Sequence, residues 1–531
     1  MMRKVDALIV GAGFAGLYAL HKMREIGVSV HAFELADDVG GVWYWNKYPG
    51  ARCDVESMQY SYSFSDDLQQ DWEWTERYAR QSEILAYLRH VADRFDLRRS
   101  ISFGTGVVSA IFDEVAQHWQ IRTDKGENVV AQYCIMASGS LSASRLPDLP
   151  GIENLAGQVL HTGNWPDRVP DFAGHNVAVI GTGSSGVQAI PQIAKRARQL
   201  VVFQRTPNFV VPARNHPLAA EAQLQWKSDY PAKRAQARQV GTLYDFSETP
   251  AFSVSSEARE AEYRRRWEKG GVNFVHAFKD IMTDRAANHT AAEFVHARIR
   301  ETVADPAIAE RLCPNTYPLG AKRICVGSDY YETYNRDNVT LVDLHETPIT
   351  SVDAKFIQTS QTSYPIDLLV CATGYDALTG ALARIDIRGL GGASLVDKWS
   401  NGPRNYLGLM SADFPNMFII TGPGSPSVLI NMVVGIEQHV DWIADCITHL
   451  NAIGAAGIVP HTDAEDQWVQ RVNDAAASTL FTQANSWYLG ANIPGKPRVF
   501  MPFVGGIGRY RAICDQVAKD AYSGFRISKG S

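Results

Sequence analysis

Ala7-Leu-Ile-Val-Gly11-Ala-Gly13-Phe-Ala-Gly16 is the stretch whose reading decides the fold. Four apolar residues run straight into G-x-G-x-x-G, and a helix-like pattern follows over 17–26. A strand that turns on glycines into a helix opens a βαβ unit. Gly11 permits the tight turn, Gly13 lets backbone approach a pyrophosphate, and Gly16 lets the helix pack close on the sheet. The helix start then offers unpaired N–H groups and a positive dipole end to phosphate. A second strand pattern, 28–33, ends in Glu34, at the spacing where a carboxylate accepts hydrogen bonds from ribose hydroxyls.

The unit recurs about 170 residues later. Strand-like 177–180 leads into Gly181-Thr182-Gly183-Ser184-Ser185-Gly186, a helix pattern covers 187–197, and strand-like 200–203 ends in Gln204-Arg205-Thr206. A carboxylate at Arg205's position would repel a 2′-phosphate, whereas a guanidinium pairs with one. The first turn therefore reads as an FAD site and the second as an NADPH site, with Thr182, Ser184 and Ser185 filling the second turn. The fold class expected is α/β, with two Rossmann-like dinucleotide-binding domains. Leu368-Leu-Val-Cys-Ala-Thr-Gly374 and Tyr133-Cys-Ile-Met-Ala-Ser-Gly139 resemble each other. Both read as buried strands that bring the chain back past a flavin-binding sheet.

Working outward, 531 residues exceed one ordinary core and fit two or three domains. The proposed division is 1–140 for the first part of the FAD-binding domain, 141–375 for NADP binding, and 376–531 for the second FAD part. Residues 218–315 are polar, rich in Ala, Glu and Arg, and poor in strand signals. They read as a helical insertion, either surface decoration or a cap over the active site. The basic run at 259–266 is interleaved with acids and reads as a solvated helix face. Near the end, Gly422-Pro-Gly-Ser-Pro426 marks a loop before a helix pattern at 436–447.

A formal charge of −6 gives no reason to expect nucleic acid or an acidic membrane as partner. The seven cysteines are scattered without a C-x-x-C pair, so neither a disulfide framework nor a metal site is indicated. The same absence argues against dithiol flavoprotein reductases and fits a reducing cytoplasm. Met1-Met-Arg-Lys before an apolar run superficially resembles a signal peptide, but the run breaks at Gly11. No stretch approaches the roughly 18 apolar residues of a membrane span.

Leu155-Ala-Gly157-Gln-Val-Leu-His161-Thr-Gly-Asn-Trp165-Pro166-Asp167 resembles the fingerprint of type I Baeyer–Villiger monooxygenases, F-x-G-x-x-x-H-x-x-x-W-P-D, with Leu155 in place of Phe. Gly40-Gly-Val42-Trp43-Tyr-Trp-Asn-Lys-Tyr-Pro49-Gly-Ala-Arg52-Cys-Asp54 matches a second family motif. Matching segments around Phe203–Pro207, Lys322-Arg323, 335–338 and 486–495 extend the likeness over nearly the whole chain. It is most similar to the phenylacetone monooxygenase branch, with cyclohexanone monooxygenases next.

The resemblance implies a monooxygenase using FAD, NADPH and O2, in which a C4a-peroxyflavin attacks a small hydrophobic ketone and yields an ester or lactone. By the same resemblance Arg323 is the catalytic guanidinium and Asp54 tunes it. Cofactor contacts are carried to Phe14, Val42, Trp43, Arg52, Tyr60, Val107 and Met432, with Ser140 departing from relatives that carry glutamine. Lys322, Arg205 and Thr206 would hold the 2′-phosphate, and Trp487 would close over the nicotinamide nucleotide. His161 reads as acid, base or a hinge between domains, and Trp165-Pro166 as linker architecture. The loop 424–432 would line the ketone pocket. Two alternatives stay open: an N- or S-oxygenating flavin monooxygenase, which Trp165-Pro166 disfavours, and a non-oxygenating NADPH oxidase or redox sensor. Oligomeric state is not readable, and a monomer is compatible with everything above.

Overall fold

The computed structural model describes residues 3–168 and 170–529. Met1 and Met2, which begin the run weighed as a targeting signal, lie outside the described residues. Strand Arg3–Val10 sits inside an eight-stranded sheet, flanked in parallel by Val30–Phe33 and Asn128–Met136. Ala7, Leu8 and Ile9 are fully buried on both faces, as a parallel strand between helices requires. The chain then leaves this sheet, builds another, and returns. Asp386–Arg388 and Met417–Ile419 rejoin the first sheet beside Val107–Asp113 and Asn128–Met136.

The second sheet has five strands in the order Val339–Asp343, Gln199–Gln204, Asn176–Ile180, Leu368–Cys371 and Gln158–His161, all parallel. Leu368–Cys371 thus belongs here and not to the flavin-side sheet suggested by its sequence. An apolar run declares that it is buried but not where. Its likeness to 133–139 has a different cause. Ala137 lies behind Gly11 and Ala372 lies behind Gly181, so each strand closes off its own glycine turn.

The helices after the glycine turns run Phe14–Glu25 and Ser184–Ala194, each starting three residues earlier than its apolar pattern. Gly13 and Gly183 are themselves the N-caps, and no capping side chain announces the start. The long helix near the C-terminus spans Met432–Ala452, four residues earlier and five later than read, with Asn431 as a true side-chain cap.

The insertion is helical as expected, with Ala220–Ser228, Tyr230–Val240, Ser256–Lys269, Arg285–Thr302 and Pro306–Leu312. Ser255, Asp284 and Asp305 cap three of these. The basic run is only partly a solvated face. Arg264 and Arg265 pair with Glu260 and Glu262 at the surface, but Arg266 is buried and donates to the Asn273 carbonyl at 3.2 Å. Among the described residues no helix is long and apolar enough to cross a membrane, and no cluster of metal-ligating side chains is found.

Candidate active site

At the first turn Gly11 has φ +105°, and a Cβ there would stand 2.6 Å from the Ala137 carbonyl oxygen. Gly13 faces the backbone of Gly41, so two glycines from separate loops form one narrow slot. Glu34 closes the slot's far end. Its buried carboxylate accepts the Ala12 and Ala36 N–H groups at 2.6 and 2.9 Å. Burial raises its pKa, and those N–H groups oppose the rise. The neighbouring Thr105 N–H bonds the Glu34 carbonyl, which sets Val107 two residues beyond. On the other side Phe14, Trp43 and Tyr60 form one aromatic wall. Phe14 and Tyr60 meet edge-on at 5.1 Å, and the Trp43 indole donates to the Tyr60 hydroxyl at 3.2 Å. Val42 opens the short helix that carries Trp43. Arg52 points elsewhere, its guanidinium bonded to Glu76 and to the Tyr78 carbonyl. Ser140 is buried, and its carbonyl accepts from Leu378.

The second turn repeats the geometry with one difference. Gly186 packs on Gly181 as Gly16 packs on Gly11, but a Cβ on Gly183 would meet nothing within 4 Å. The slot in front of Gly183 is open. Thr182 is fixed by a bond from its hydroxyl to the Thr206 carbonyl and by Asn208 on its own carbonyl. Ser184 lies beside Cys325, and Ser185 beside Tyr48.

A two-stranded parallel ribbon brings the cations together. Val210–Pro212 pairs with Cys325–Gly327, Val210 opposite Cys325, so the loops just upstream of each strand converge. Those loops carry Arg205 and Lys322. Burial, and then Arg205, push the Lys322 ammonium down to about 8. Its ammonium rests over the Tyr317 ring, 4.6 Å from the centroid. Two cations held together with no carboxylate paired to either among the described residues suit a doubly charged anion.

The next residue faces the other way. Arg323 grips Asp54 at 2.8 to 3.1 Å through Nε and Nη2, and its Nη1 donates to the Val428 carbonyl at 2.9 Å. Burial works against its charge, yet Asp54 and the neighbouring Tyr488 and Tyr244 phenols hold its pKa above the ordinary value. A guanidinium has five N–H donors. Beyond its bonds to Asp54 and Val428, this one keeps an N–H on Nη1 and another on Nη2, with the Tyr488 hydroxyl beside them. Asp54 is also near Tyr60, so the arginine joins the aromatic wall of the first turn.

Tyr244 and Gln59 carry no motif that marks them, and Tyr488 lies in the matching segment 486–495 without a role assigned to it. Tyr244 comes from the insertion and stands near Arg323. Gln59 fastens it there. Its side-chain oxygen accepts from Leu243, while its carbonyl accepts from Arg234 and Asn431. Asn431 caps the helix begun by half-buried Met432. Trp487 stands against Tyr488 at 4.3 Å, one residue from the phenol beside Arg323.

His161 ends the outer strand of the second sheet. Its Nδ1 accepts the Gly163 N–H at 2.9 Å and its Nε2 faces the Thr373 hydroxyl, while burial lowers its pKa. These bonds brace the crossing between sheets. The Trp165 N–H donates to the Trp45 carbonyl, and Lys47 pairs with Asp167. Leu155 packs in the core of the second sheet.

Residues 3–217 match the family described as flavin-binding monooxygenase-like. A Baeyer–Villiger monooxygenase of Pseudooceanicola batsensis is 42% identical over 98% of this chain and 95% of its own. A phenazine N-monooxygenase of Lysobacter antibioticus is 41% identical over 98% and 96%. The solved structure of an oxidized steroid monooxygenase bound to NADP is 52% identical, covers 99% of this chain and all of its own, and superposes with a TM-score of 0.95. By identity sustained over its whole length, this chain belongs to the Baeyer–Villiger family of flavin-binding monooxygenases.

Proposed function

We infer that the protein is an FAD-containing, NADPH-dependent monooxygenase that inserts one oxygen atom beside a ketone carbonyl, giving an ester or lactone. The observation that carries this is the Arg323–Asp54 pair, fixed between two dinucleotide turns with N–H donors left beyond its bonds to Asp54 and Val428. The residues fit both nucleotides. Glu34 and the Gly13–Gly41 slot suit FAD, and the open space at Gly183 with the paired cations Lys322 and Arg205 suits NADP. The strands of 3–136 and 386–419 share the first sheet, which supports 1–140 and 376–531 as the FAD-binding parts and 141–375 as the NADP-binding part.

A flavin held by the Gly13–Gly41 slot and Glu34 would supply two-electron transfer from NADPH and activation of O2. The chain supplies orientation and charge. Asp54 holds the guanidinium plane in one orientation, and the Val428 carbonyl fixes its third edge. The remaining N–H groups would then stabilise negative charge as it develops on the ketone oxygen. The apolar run 428–430 beside Arg323 favours a hydrophobic ketone and limits water. All seven cysteines are free and buried, which supports a reducing cytoplasm.

A ketone panel with products analysed by mass tests this directly. Ketone-independent NADPH consumption yielding only hydrogen peroxide would overturn it. The N-monooxygenase relative favours a second reading, so the panel includes an aromatic N-heterocycle.

Lys322 gives a pH signature. Free of ligand, its ammonium loses its proton near pH 8, and a bound 2′-phosphate opposes that loss. The KM for NADPH should stay level below about pH 8 and climb above it, while that for NADH, lacking the phosphate, does not. Lys322→Met should raise the NADPH KM about 30-fold or more at neutral pH and erase the climb. A level NADPH profile up to about pH 9.5 in the unaltered enzyme removes Lys322 from the phosphate site.

A further inference from the structure

Beneath the loop that follows Thr421 lies a buried hydrogen-bond relay. The Thr421 N–H donates to His439 Nδ1 at 2.9 Å, and His439 Nε2 meets the Tyr510 hydroxyl at 2.9 Å. Tyr510 in turn donates to the Leu407 carbonyl at 2.5 Å. A backbone N–H can only donate, so Nδ1 is the acceptor and the ring proton sits on Nε2. Every proton along the chain then has one direction. Burial lowers the His439 pKa to about 3, which keeps the ring neutral.

Both ends of the relay are strained. Leu407 has φ +57° and Thr421 has φ +54°, left-handed conformations that are rare for a leucine and rarer still for a β-branched residue. Such conformations persist only where surrounding structure over-determines them. The two turns face each other: a Cβ on Gly408 would lie 2.4 Å from the Ser425 nitrogen. From Thr421 the loop runs through Ser427, also left-handed at φ +42°, whose hydroxyl bonds back to the Thr421 carbonyl. The next residue is Val428, whose carbonyl holds Arg323 Nη1.

We propose that His439 and Tyr510 are positioning residues for oxygenation, clamping the strained Thr421–Val428 loop so that its carbonyl end fixes Arg323. Both side chains are buried. Both act through the loop, and the inference rests on the oxygenation reading only for its second readout. The relay differs from ordinary buried polar pairing because it joins two costly backbone turns, one of them bonded to Ser427, the residue before Val428.

The test uses the full-length holoenzyme. Tyr510→Phe keeps the ring and removes only the hydroxyl. Hydrogen exchange of the amides at 421–428 should quicken about ten-fold, and peroxide released per ester should rise about ten-fold, while anaerobic flavin reduction by NADPH keeps its rate. His439→Asn, whose side-chain oxygen can still accept from Thr421, should recover part of both effects relative to His439→Leu. A purely structural role lowers Tm but leaves peroxide per ester unchanged in the folded fraction, and that result overturns the proposal. Wild-type amide exchange in Tyr510→Phe overturns it equally. Should the unaltered enzyme make no ester from any ketone, the functional reading fails, and the exchange experiment still decides whether the relay holds the loop.

Discussion

Arg323→Ala is expected to cut ester formation by about 10²–10³ while flavin reduction by NADPH proceeds unimpaired. On the function proposed above the guanidinium's remaining N–H donors would face the reacting ketone, and it stays charged at any working pH. Removing it deletes stabilisation of the developing oxyanion and leaves Asp54, three-quarters buried, without its partner. Stopped-flow reduction under anaerobic conditions isolates the NADPH half of the cycle. Mass analysis of products under air isolates the oxygenation half. Arg323→Lys should fare little better. An ammonium cannot grip both Asp54 oxygens and the Val428 carbonyl while keeping further donors. Ester formation retained in either variant would remove Arg323 from the chemistry.

This arginine also marks the boundary of what the sequence discloses. The glycine turns are local, with strand, turn and helix consecutive, so periodicity and glycine spacing suffice to place Gly11, Gly181 and Glu34. Arg323 and Asp54 are 269 residues apart. Their pairing follows from packing that no periodicity records, and only resemblance pointed to it. Arg205 and Lys322 meet because a short parallel ribbon aligns their loops, which is likewise tertiary. Tyr244, Gln59 and His439 sit in segments with no motif, and each meets its neighbours only through tertiary packing. Leu368–Cys371 shows the converse limit. Its burial was plain, but burial is the same signal in either sheet.

The second large effect comes from two glycines three residues apart. Gly186 and Gly183 both belong to the second turn, yet adding a side chain should damage different things. A Cβ on Gly186 would stand 2.2 Å from the Gly181 carbonyl oxygen, and backbone cannot yield as a flexible side chain can. Gly186→Val should therefore separate helix Ser184–Ala194 from its sheet and destabilise the protein by more than about 4 kcal/mol. Little folded enzyme would be recovered. A Cβ on Gly183 meets nothing within 4 Å, and its φ is ordinary for any residue. Gly183→Val should fold, keep its flavin and melt within about 1 °C of the parent, because the added methyls enter space the protein leaves open. That space is where the pyrophosphate of NADP would lie against the helix N-terminus. The NADPH KM should rise at least about 100-fold, since steric exclusion at a backbone-lined slot cannot be relieved by side-chain motion. Thermal melts, flavin content and steady-state kinetics on the pair separate the two roles. A Gly183→Val enzyme that binds NADPH normally would mean that the slot is not the nucleotide site, and the assignment of the second turn would fall with it.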